Sequence, residues 1–480
     1  MIRIVMLIIL QVACFSSFGQ NERNIWYFGK YAGLDFNIIP PSYLSDGFAT
    51  TYEASCSISD KNGDMLIYVN GWDTAVIPYM YQLQVWNRDH HIMQNSSGIY
   101  GNTSMTQGIL ILPKPSDSTI YYLLSIRPFN WDLHYSIIDM NLDSGRGGVT
   151  QKNIFLSDSI TEKLTTIKHA NGRDWWIITH QWGTNIYIEY LLTPWGIMGP
   201  YTIGAGQTIG VTAGTPGQLV FSQDGNMLCM ANHEGQLDLL SFDRCTGMIT
   251  IIESLDTTLF TFGLQYYGCS FSPDNKVLYV SKWNQLYQFD LTVSNIKASK
   301  INLYSVNLVN EGIGQHLLGP DNKIYIAHEY YAGPSDSSKK YLSVINYPDS
   351  LGIACGFLPY SFWLGNKEAN AGLPNLPNYN SGPVYGSVCD SLSAGINDDV
   401  KNGSVSVYPN PVSTTATLTY KNPQQRGVTL TVYDVLGSAA MQKQSSGNSF
   451  IINAATLKSG MYFYTLTLNN VQYNGKFVVR

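Results

Sequence analysis

Charged side chains are scarce in this sequence of 480 residues. Lys, Arg, Asp and Glu together make up 13% of it, the formal net charge is −6, and no basic stripe runs along the chain. A protein that binds nucleic acid or an anionic membrane surface needs concentrated positive charge. The sequence therefore argues against both of these partners.

Long apolar runs are missing after the first 20 residues, since none approaches the roughly 20 residues that span a bilayer. A shorter run, Ile4–Leu10, follows a basic residue, and small residues precede Gln20 at the −3 and −1 positions. This pattern predicts an export signal over residues 1–19, cleaved after Gly19, and a mature chain without membrane insertion. A lipid anchor on Cys14 is the lesser alternative, because Gln11 stands where a lipobox needs Leu.

Motifs for catalysis and cofactor binding are missing too. The sequence has no G-x-S-x-G turn for a nucleophilic serine, and no Gly-rich loop is followed by Lys and Ser or Thr for a phosphate. Residues 60–64 form a partial calcium loop without the glutamate required at position 12. We therefore predict no cofactor and no metal ion, and the sequence favours a binding protein over an enzyme.

Cysteines are few, and six remain once the export signal is removed. They do not have the close C-x-x-C spacing of a metal or redox site, and an exported chain can form disulfides. Six cysteines leave the pairing open. Among the possible disulfides, the pair of Cys355 and Cys389 is the first candidate.

The sequence is rich in tyrosine, with 33 residues, and in glycine, with 43. This balance suits strands and tight turns better than helices. Each of six turn dipeptides has an apolar strand before it and two β-rich strands after it. They recur at intervals of 47 to 55 residues: Asn62-Gly63, Ser116-Asp117, Asn171-Gly172, Asp224-Gly225, Asp274-Asn275 and Asp321-Asn322. A period near 50 with several strands per unit predicts six blades of a β-propeller.

Short segments at the two ends of this region predict a further blade. Ile25–Gly29 and Gly33–Phe36 fit its second and third strands, and Gly372–Pro377 fits the missing inner strand, paired with Trp26–Phe28. Joining the two ends would remove two exposed strand edges. The predicted fold class is therefore all-β, with a seven-bladed propeller over residues 20–380 whose seventh blade is a composite of N- and C-terminal strands.

Polar and indole side chains recur where the inner strands begin and the second strands end. These positions share one face of a propeller, and ligand sites combine a few polar groups with aromatic walls. The predicted binding face comprises Trp72, Gln107, His180, Trp182, His233, Glu234, Trp283, Glu311 and His328. The competing interpretation is that these residues are polar strand ends and packing plugs between blades. The predicted partner of the face is a carbohydrate or a surface protein.

Two carboxylates in the same register, Glu53 and Glu162, support an alternative function. Paired carboxylates act as acid and base in polysaccharide hydrolases when they lie about 5 Å apart or about 6.5 to 9.5 Å apart. The alternative is thus a propeller-type polysaccharide hydrolase or lyase. A channel that holds the two carboxylates further apart would leave only binding.

The tail, residues 404–480, follows a polar linker over residues 381–403. Its period-two alternation predicts a small immunoglobulin-like sandwich. It carries a P-N-P opening, a D-x-x-G turn, an S-G-x-Y strand entry and a basic end, through Pro409, Asn410, Pro411, Asp434, Gly437, Gly460, Tyr462 and Lys476. This order resembles the type A C-terminal sorting domain of the type IX secretion system of Bacteroidota. The resemblance implies the type IX machinery as a partner and a secreted or cell-surface location.

Residues 24–380 carry a second resemblance. Stretches such as Trp26–Gly29, Lys168–Gly172, Thr179–Gly183 and Phe271–Asp274 are similar to the N-terminal region of large Bacteroidota surface proteins, many of which end in gliding-associated or type IX sorting domains. The Phe-Ser-Pro-Asp element is shared with WD40-like and YVTN-like propellers, which are mostly interaction or scaffold modules. The resemblance implies a binding or scaffold role and no particular chemistry.

Overall fold

The computed structural model describes residues 21–70, 82–128, 130–210, 215–259, 265–306, 311–330, 337–379, 381–390, 405–420, 422–434, 438–468 and 471–479. The chain divides into two compact units, Met1–Ser393 and Ala394–Arg480. Throughout the described ranges the regular structure is β-strand with a few short 3-10 turns. The protein is therefore all-β, as its Tyr- and Gly-rich composition predicts.

Seven antiparallel sheets follow one another within the described part of the first unit. Sheet 1 has three strands and sheets 2 to 7 have four each, hydrogen-bonded in chain order. The strands are β1 Ile25–Phe28, β2 Ala32–Asp35 and β3 Ser42–Leu44 in sheet 1; β4 Cys56–Ser59, β5 Met65–Asn70, β6 Gln82–Asn87 and β7 Ile99–Tyr100 in sheet 2; β8 Ile109–Pro113, β9 Ile120–Arg127, β10 Asp132–Asp139 and β11 Gly148–Ser157 in sheet 3; β12 Ile160–Lys168, β13 Trp175–Gln181, β14 Thr184–Thr193 and β15 Gly196–Ile209 in sheet 4; β16 Leu219–Phe221, β17 Met227–Ala231, β18 Leu237–Phe242 and β19 Ile249–Asp256 in sheet 5; β20 Tyr266–Phe271, β21 Val277–Lys282, β22 Gln285–Asp290 and β23 Ile301–Ser305 in sheet 6; and β24 Glu311–Leu318, β25 Ile324–Tyr330, β26 Tyr341–Ile345 and β27 Phe357–Trp363 in sheet 7.

The recurring dipeptides form the turns between the first and second strands of sheets 2 to 7. Gly225 and Asn275, at matching places in two of these turns, have φ values of 75° and 62°. A left-handed backbone favours Gly and Asn over other residues, which explains why those residue types recur there. In sheets 5 and 6 a serine before the turn also donates to the aspartate two residues later, over 2.6 Å from Ser222 and 2.8 Å from Ser272.

The fourth strands of sheets 2 to 7 have no counterpart in the sequence prediction. They are the outermost strands, and many of their side chains are exposed; β15, for example, has 14 residues of which most are at least partly exposed. An edge strand that faces solvent on both sides does not need a period-two apolar pattern. The sequence signal therefore ends at the third strand of each sheet.

The two ends of the first unit meet near the start of sheet 1. Backbone hydrogen bonds join Lys30 and Glu368 in both directions, at 2.7 and 3.3 Å. Further along, Ala371 accepts the amide of Gln315 at 2.9 Å, and Asn375 donates its amide to Ser55 at 2.8 Å. Residues 371–375 thus lie between the first strand of sheet 7 and the segment that leads into the first strand of sheet 2.

The expected pairing of Trp26–Phe28 with residues 373–376 is not the one found. In the described strands, β1 is in register with β2, so that Trp26 lies opposite Leu34, while Pro374 forms a parallel bridge to Ser55. Among the described residues, the Lys30–Glu368 bridge joins the returning chain to the end of β1, and beyond it the chain pairs with Ser55 instead.

Apolar side chains between neighbouring sheets form the core of the first unit. Trp26, which is fully buried, packs edge-on against Tyr325 of sheet 7 with ring centroids 5.7 Å apart. The first strands of successive sheets also contact one another from sheet 1 through sheet 7. The sheets are therefore arranged side by side around a centre, in a β-propeller-like fold.

A disulfide joins Cys245 to Cys389, 144 residues later in the chain. The expected pair of Cys355 and Cys389 is therefore wrong: Cys355 is a free, buried thiol beside sheet 7. Arg244 donates from Nη2 to the carbonyl of Gly382 at 2.6 Å, so the segment that carries Cys389 lies beside sheet 5. Spacing in the sequence could not reveal that neighbour.

The second unit contains two sheets that share one hydrophobic core. Its strands bury alternate side chains, as in Thr415–Thr419 and Ser449–Asn453, which is the pattern that its sequence predicts. The strands are β28 Ser406–Tyr408, β29 Thr415–Thr419 and β32 Ser449–Asn453 in one sheet, and β30 Val428–Tyr433, β31 Ala439–Ser445, β33 Gly460–Leu468 and β34 Val471–Val479 in the other.

Candidate functional site

The P-N-P segment of the second unit is tied to the last strand of the chain. Asn410, between Pro409 and Pro411, accepts the amide of Val478 on its Oδ1 at 2.9 Å. Val412 donates its amide to the carbonyl of Val478 at 2.7 Å. The beginning and the end of the tail are thus held together by hydrogen bonds at Asn410 of the motif and at Val412 just after it.

The other motif residues of the tail also have defined local roles. Asp434 closes its turn by accepting the amide of Ser438 on Oδ1 at 2.9 Å. Tyr462 donates its hydroxyl to the carbonyl of Lys458 at 2.9 Å and stacks on Phe477, with ring centroids 5.7 Å apart. Gly460 begins β33, and Lys476 is exposed on β34 opposite Phe463. Gly437 lies outside the described residues.

The centre of the first unit contains a lysine that the sequence analysis missed. Lys163, on β12, is fully buried and donates from Nζ to the carbonyls of Thr215, Gly217 and Ala231 at 3.2, 2.9 and 2.7 Å. Burial lowers its pKa to about 8, against the opposing effect of neighbouring Glu162. The one sequence feature that could have pointed to Lys163 is its position directly after Glu162, a residue that the sequence analysis had singled out.

Glu162 and Gln107 are buried beside this lysine. Glu162 accepts on Oε2 from the amide and the hydroxyl of Thr106, at 2.9 and 3.1 Å. Burial raises its pKa, and these hydrogen bonds partly offset the effect. Gln107 exchanges two hydrogen bonds with the backbone of Leu219, two sheets away, at 3.1 and 2.7 Å. Both side chains therefore connect sheets through the centre.

Three further members of the predicted face surround Lys163. His180 is fully buried, and burial together with Lys163 lowers its pKa to about 3. His233, partly exposed, has its pKa lowered to about 3 by the same two causes. Glu234 accepts the amide of Gly210 at 2.9 Å and contributes to the field at Lys163. The structure thus gathers the buried side chains of Glu162, His180 and Glu234 around one cation, with His233 at the outer edge of this group.

Glu53, the second candidate carboxylate, has a different partner. Its Oε1 accepts the hydroxyl of Tyr267 at 2.8 Å, and the ring of Tyr267 lies 5.0 Å from the ring of His233. Both Glu53 and Glu162 are more than nine-tenths buried. Neither carboxylate therefore offers its oxygens to a substrate at the surface.

Glu311 and His328 form a separate buried group in sheet 7. His328 Nε2 lies 2.6 Å from the hydroxyl of Ser343, and its Nδ1 lies 3.5 Å from Glu311 Oε1, which also accepts the hydroxyl of Tyr360 at 2.6 Å. This is the order of a Ser-His-acid triad. Ser343, His328 and Glu311 are fully buried, however, and the serine hydroxyl accepts the amide of Tyr360. The group is therefore suited to holding the sheet together.

The remaining predicted residues lie on turns between second and third strands. Trp182 is partly exposed and packs against Trp131 of the neighbouring sheet, with ring centroids 5.3 Å apart. Trp283 is also partly exposed. Trp131, Trp182, His233 and Trp283 occupy equivalent turns of sheets 3 to 6, and we call this set the rim. Trp72 lies outside the described residues.

A cavity of about 60 Å³ lies near the centre of the sheets. Its lining includes Gln107, Gln218 and Gln315, whose side chains bridge non-adjacent sheets, and Arg23 and His316. Sites for organic ligands usually enclose about 300 to 1,000 Å³. The cavity is thus too small for a sugar residue of a polysaccharide. No group of three or more His, Cys, Asp or Glu side chains suited to a metal ion occurs within the described ranges.

Residues 406–480 match the family model described as "Secretion system C-terminal sorting domain". The tail is therefore a type IX sorting domain, and the protein is a secreted, cell-surface protein that interacts with the type IX machinery. A search of curated proteins found no significant match. In the described part of the chain, no helix is long and apolar enough to cross a membrane.

Several solved structures resemble this chain. They include a functionally unknown protein from Desulfotomaculum acetoxidans (14% identity, TM-score 0.42, covering 73% of this chain and 98% of that one). PorZ, a bacterial surface component of the type IX secretion system of Porphyromonas gingivalis, matches at 12% identity and a TM-score of 0.37, over 94% of this chain and 62% of PorZ. The β-propeller domain of Cps50 from Myceliophteria thermophila matches at 9% and 0.38, over 64% and 93%. At these TM-scores the likeness transfers no function.

Proposed function

We propose that this protein is an exported binding or scaffold protein, whose propeller contacts a carbohydrate or a surface protein through the rim. The sorting domain carries the first half of this proposal, since it directs the chain to the cell surface. The half-exposed tryptophans of the rim support the other part of the proposal, the contact with a carbohydrate or a surface protein. The propeller would have seven blades over residues 20–380, followed by a linker over residues 381–403 and an immunoglobulin-like sorting domain over residues 404–480.

The path of residues 371–375 supports a composite blade. They make backbone hydrogen bonds to Gln315 on one side and to Ser55 on the other, which is where the inner strand of sheet 1 belongs. Sheet 1 has only three strands, and we propose that this segment stands in for its inner strand, although its backbone hydrogen bonds go to Gln315 and Ser55 and not to β1. In that place the segment would cover the strand edge at the seam, which would otherwise be exposed.

Backbone conformation supports a binding role for the rim. Trp131 and Trp283 have φ values of 53° and 52°, a left-handed conformation that costs a bulky residue about 1 to 2 kcal/mol. The equivalent turn of sheet 4 uses Gly183, with φ of 70°, for such a position. Strained residues concentrate at binding sites, and an indole offers a flat apolar face with a polar edge. These features suit stacking against a sugar ring or insertion into a protein partner.

The hydrolase or lyase alternative receives less support. Glu53 and Glu162 are buried and engaged by Tyr267 and Thr106. A general acid and base must reach both faces of a scissile bond, with space for a sugar between them. The central cavity does not provide that space.

The binding proposal is tested on residues 20–390 with glycan and surface-protein arrays, beside an assay for released reducing sugars. The triple variant Trp131→Ala, Trp182→Ala, Trp283→Ala should lose binding to the ligand that the arrays identify. Trp195→Ala is the matched control, because Trp195 is 77% exposed on a turn between third and fourth strands, at the opposite end of the sheets. Equal loss in the control, or release of sugars by the wild type, would overturn the proposal.

The division into two units is tested by deletion. Removing residues 404–480 should leave a folded propeller in the periplasm, because the tail holds the sorting signal and a polar linker joins it loosely to the rest. The measurement is cell fractionation together with thermal unfolding, in a host with a working type IX system. Surface display of the shortened chain would contradict the assignment.

The composite blade is tested at the seam. Deleting residues 20–37 removes β1 and β2 and exposes the strand edges beside them, so the shortened chain should aggregate. Light scattering and the melting temperature report the outcome. A monomer with an unchanged melting temperature would show that the ring closes in another way.

A further inference from the structure

Two side chains that line the central cavity each carry a nitrogen atom that lacks a hydrogen-bond partner. These atoms are Nε of Arg23 and Nε2 of His316, both enclosed by protein and unpaired among the described residues. Buried polar groups are almost always paired, so each exception points to a missing partner. Because both unpaired nitrogens belong to side chains that line the same cavity, we look for one ligand in that cavity that pairs with both.

The other long polar side chains of the lining are satisfied. Gln107 is paired with the backbone of Leu219, and Gln218 donates to the carbonyl of His316 at 3.1 Å and accepts the amide of Cys269 at 3.0 Å. Gln315 donates to the carbonyl of Thr106 and accepts the amide of Leu373 at 2.8 Å. Arg23 and His316 therefore carry the hydrogen-bonding nitrogens of the lining that still lack a partner.

The guanidinium of Arg23 also lacks a counter-charge. It donates from Nη2 to the carbonyl of Leu318 at 2.7 Å, and it makes no ion pair with a described carboxylate. Burial lowers its pKa to about 10, and the one neighbour that opposes this effect is Tyr379. Arg23 is partly buried, and a charge withdrawn from water without a partner is costly, so an anion beside it would be stabilising.

His316 can serve the same ligand as a donor. Its Nδ1 lies 3.4 Å from the hydroxyl of Ser270, which can donate to it and leave the ring hydrogen on Nε2. The cavity volume of about 60 Å³ exceeds the 10 to 15 Å³ that one water molecule needs. It has room for one small anion or for a few water molecules.

We propose that this cavity binds one small oxyanion, such as phosphate, sulfate or a carboxylate, held by Arg23 with His316 as a second donor. The planar fork of a guanidinium matches the oxygens of these groups, and such charge-assisted hydrogen bonds are the strong ones. The anion would neutralise Arg23 where the N-terminal segment meets sheet 7. It would thereby stabilise the closed ring.

The test uses the full chain without its export signal, titrated calorimetrically with inorganic phosphate, sulfate and acetate at constant ionic strength. The wild type should bind at least one of them saturably at one site. Arg23→Met should weaken that binding about 10-fold to 100-fold, as expected for the loss of a hydrogen bond from a charged group. Arg88→Met, at an exposed arginine, is the matched control and should bind as the wild type does.

Two further measurements keep the test decisive if Arg23→Met folds poorly. Arg23→Lys retains the charge without the fork and should bind with intermediate affinity. Crystals of the wild type soaked in selenate should show an anomalous peak next to Arg23 Nε. The proposal is overturned by the absence of saturable binding to the wild type, by equal binding to the Met variant, or by water alone in the cavity.

Discussion

The buried centre of the propeller-like unit and its rim place polar and aromatic groups in opposite environments. At the centre, Lys163, Glu162 and His180 are withdrawn from water, and hydrogen bonds to neighbouring sheets hold Lys163 and Glu162. At the rim, Trp182 and Trp283 are partly exposed on short turns. Both sets come from neighbouring positions of the same repeat. The difference teaches that the repeat position fixes the place of a residue in its sheet, while the depth of its side chain decides whether it is buried between sheets or exposed to solvent.

The largest expected effect comes from the centre. Lys163→Met leaves Glu162 and Glu234 without their neighbouring cation and three carbonyls without their donor. Breaking a buried charge pair from one side typically costs about 3 to 5 kcal/mol. Urea unfolding should show this loss, whereas Lys276→Met, at an exposed lysine, should change the free energy of unfolding by less than about 0.5 kcal/mol. Similar losses for both would mean that the central cluster is not what stabilises the ring.

Replacing a tryptophan of the core should destabilise the protein strongly, as replacing Lys163 should, whereas replacing a tryptophan of the rim should not. Trp176 is buried between sheets 4 and 5, and its indole donates to the carbonyl of Arg244 at 2.8 Å. Trp176→Ala should cost about 3 to 5 kcal/mol, because it leaves a cavity and an unpaired carbonyl. Trp182→Ala should cost clearly less, since its side chain is partly exposed. Urea unfolding of the two variants measures the difference. Equal losses of unfolding free energy in Trp176→Ala and Trp182→Ala would contradict this prediction.

The buried histidines should make the protein sensitive to acid. Burial lowers the pKa of His328 to about 3, below the 6.5 of an unfolded histidine, so between these values the unfolded chain binds the extra proton. Stability from this group is complete above pH 6.5 and is lost as the pH falls toward 3. His328→Gln should remove about 1.4 kcal/mol per pH unit from the slope between pH 4 and 6.

The wild type, unfolded in the same buffers, is the reference for this slope. Glu189, whose pKa burial raises to about 8, acts with the opposite sign, losing stability as the pH rises from 4.5 to 8. The contribution of Glu189 is the same in both proteins and cancels in the comparison. An identical slope for the wild type and His328→Gln would show that this histidine is not buried as a neutral ring.

The smallest effect concerns the strain at the rim. Both Trp283→Gly and Trp283→Ala remove the indole, but only glycine relieves the left-handed backbone, with φ of 52°. The glycine variant should therefore be more stable than the alanine variant by about 1 kcal/mol. Thermal unfolding of the two variants gives the difference. Alanine as the more stable of the two would mean that the turn changes conformation when the indole is lost.

Strand order in the first unit was largely predictable, because turn dipeptides such as Asp224-Gly225 mark a left-handed backbone that few residues tolerate. The outermost strands were not predictable, since strands such as β15 are largely exposed and leave no periodic pattern. Lys163 was missed because it follows a predicted polar position within a strand that otherwise reads as buried. The pairing of Cys245 with Cys389 was missed because it depends on where the chain passes after residue 379.

The sequence by itself determined the destination of this protein and its all-β character. Both follow from local patterns: the motif order of the tail, and the period of turns and strands. Only the tertiary structure decided which polar residues are buried, how residues 371–375 enter the ring, and that Arg23 and His316 line one cavity. Burial and pairing depend on neighbours more than a hundred residues away, so a local pattern names the candidates but cannot supply the depth at which each one lies.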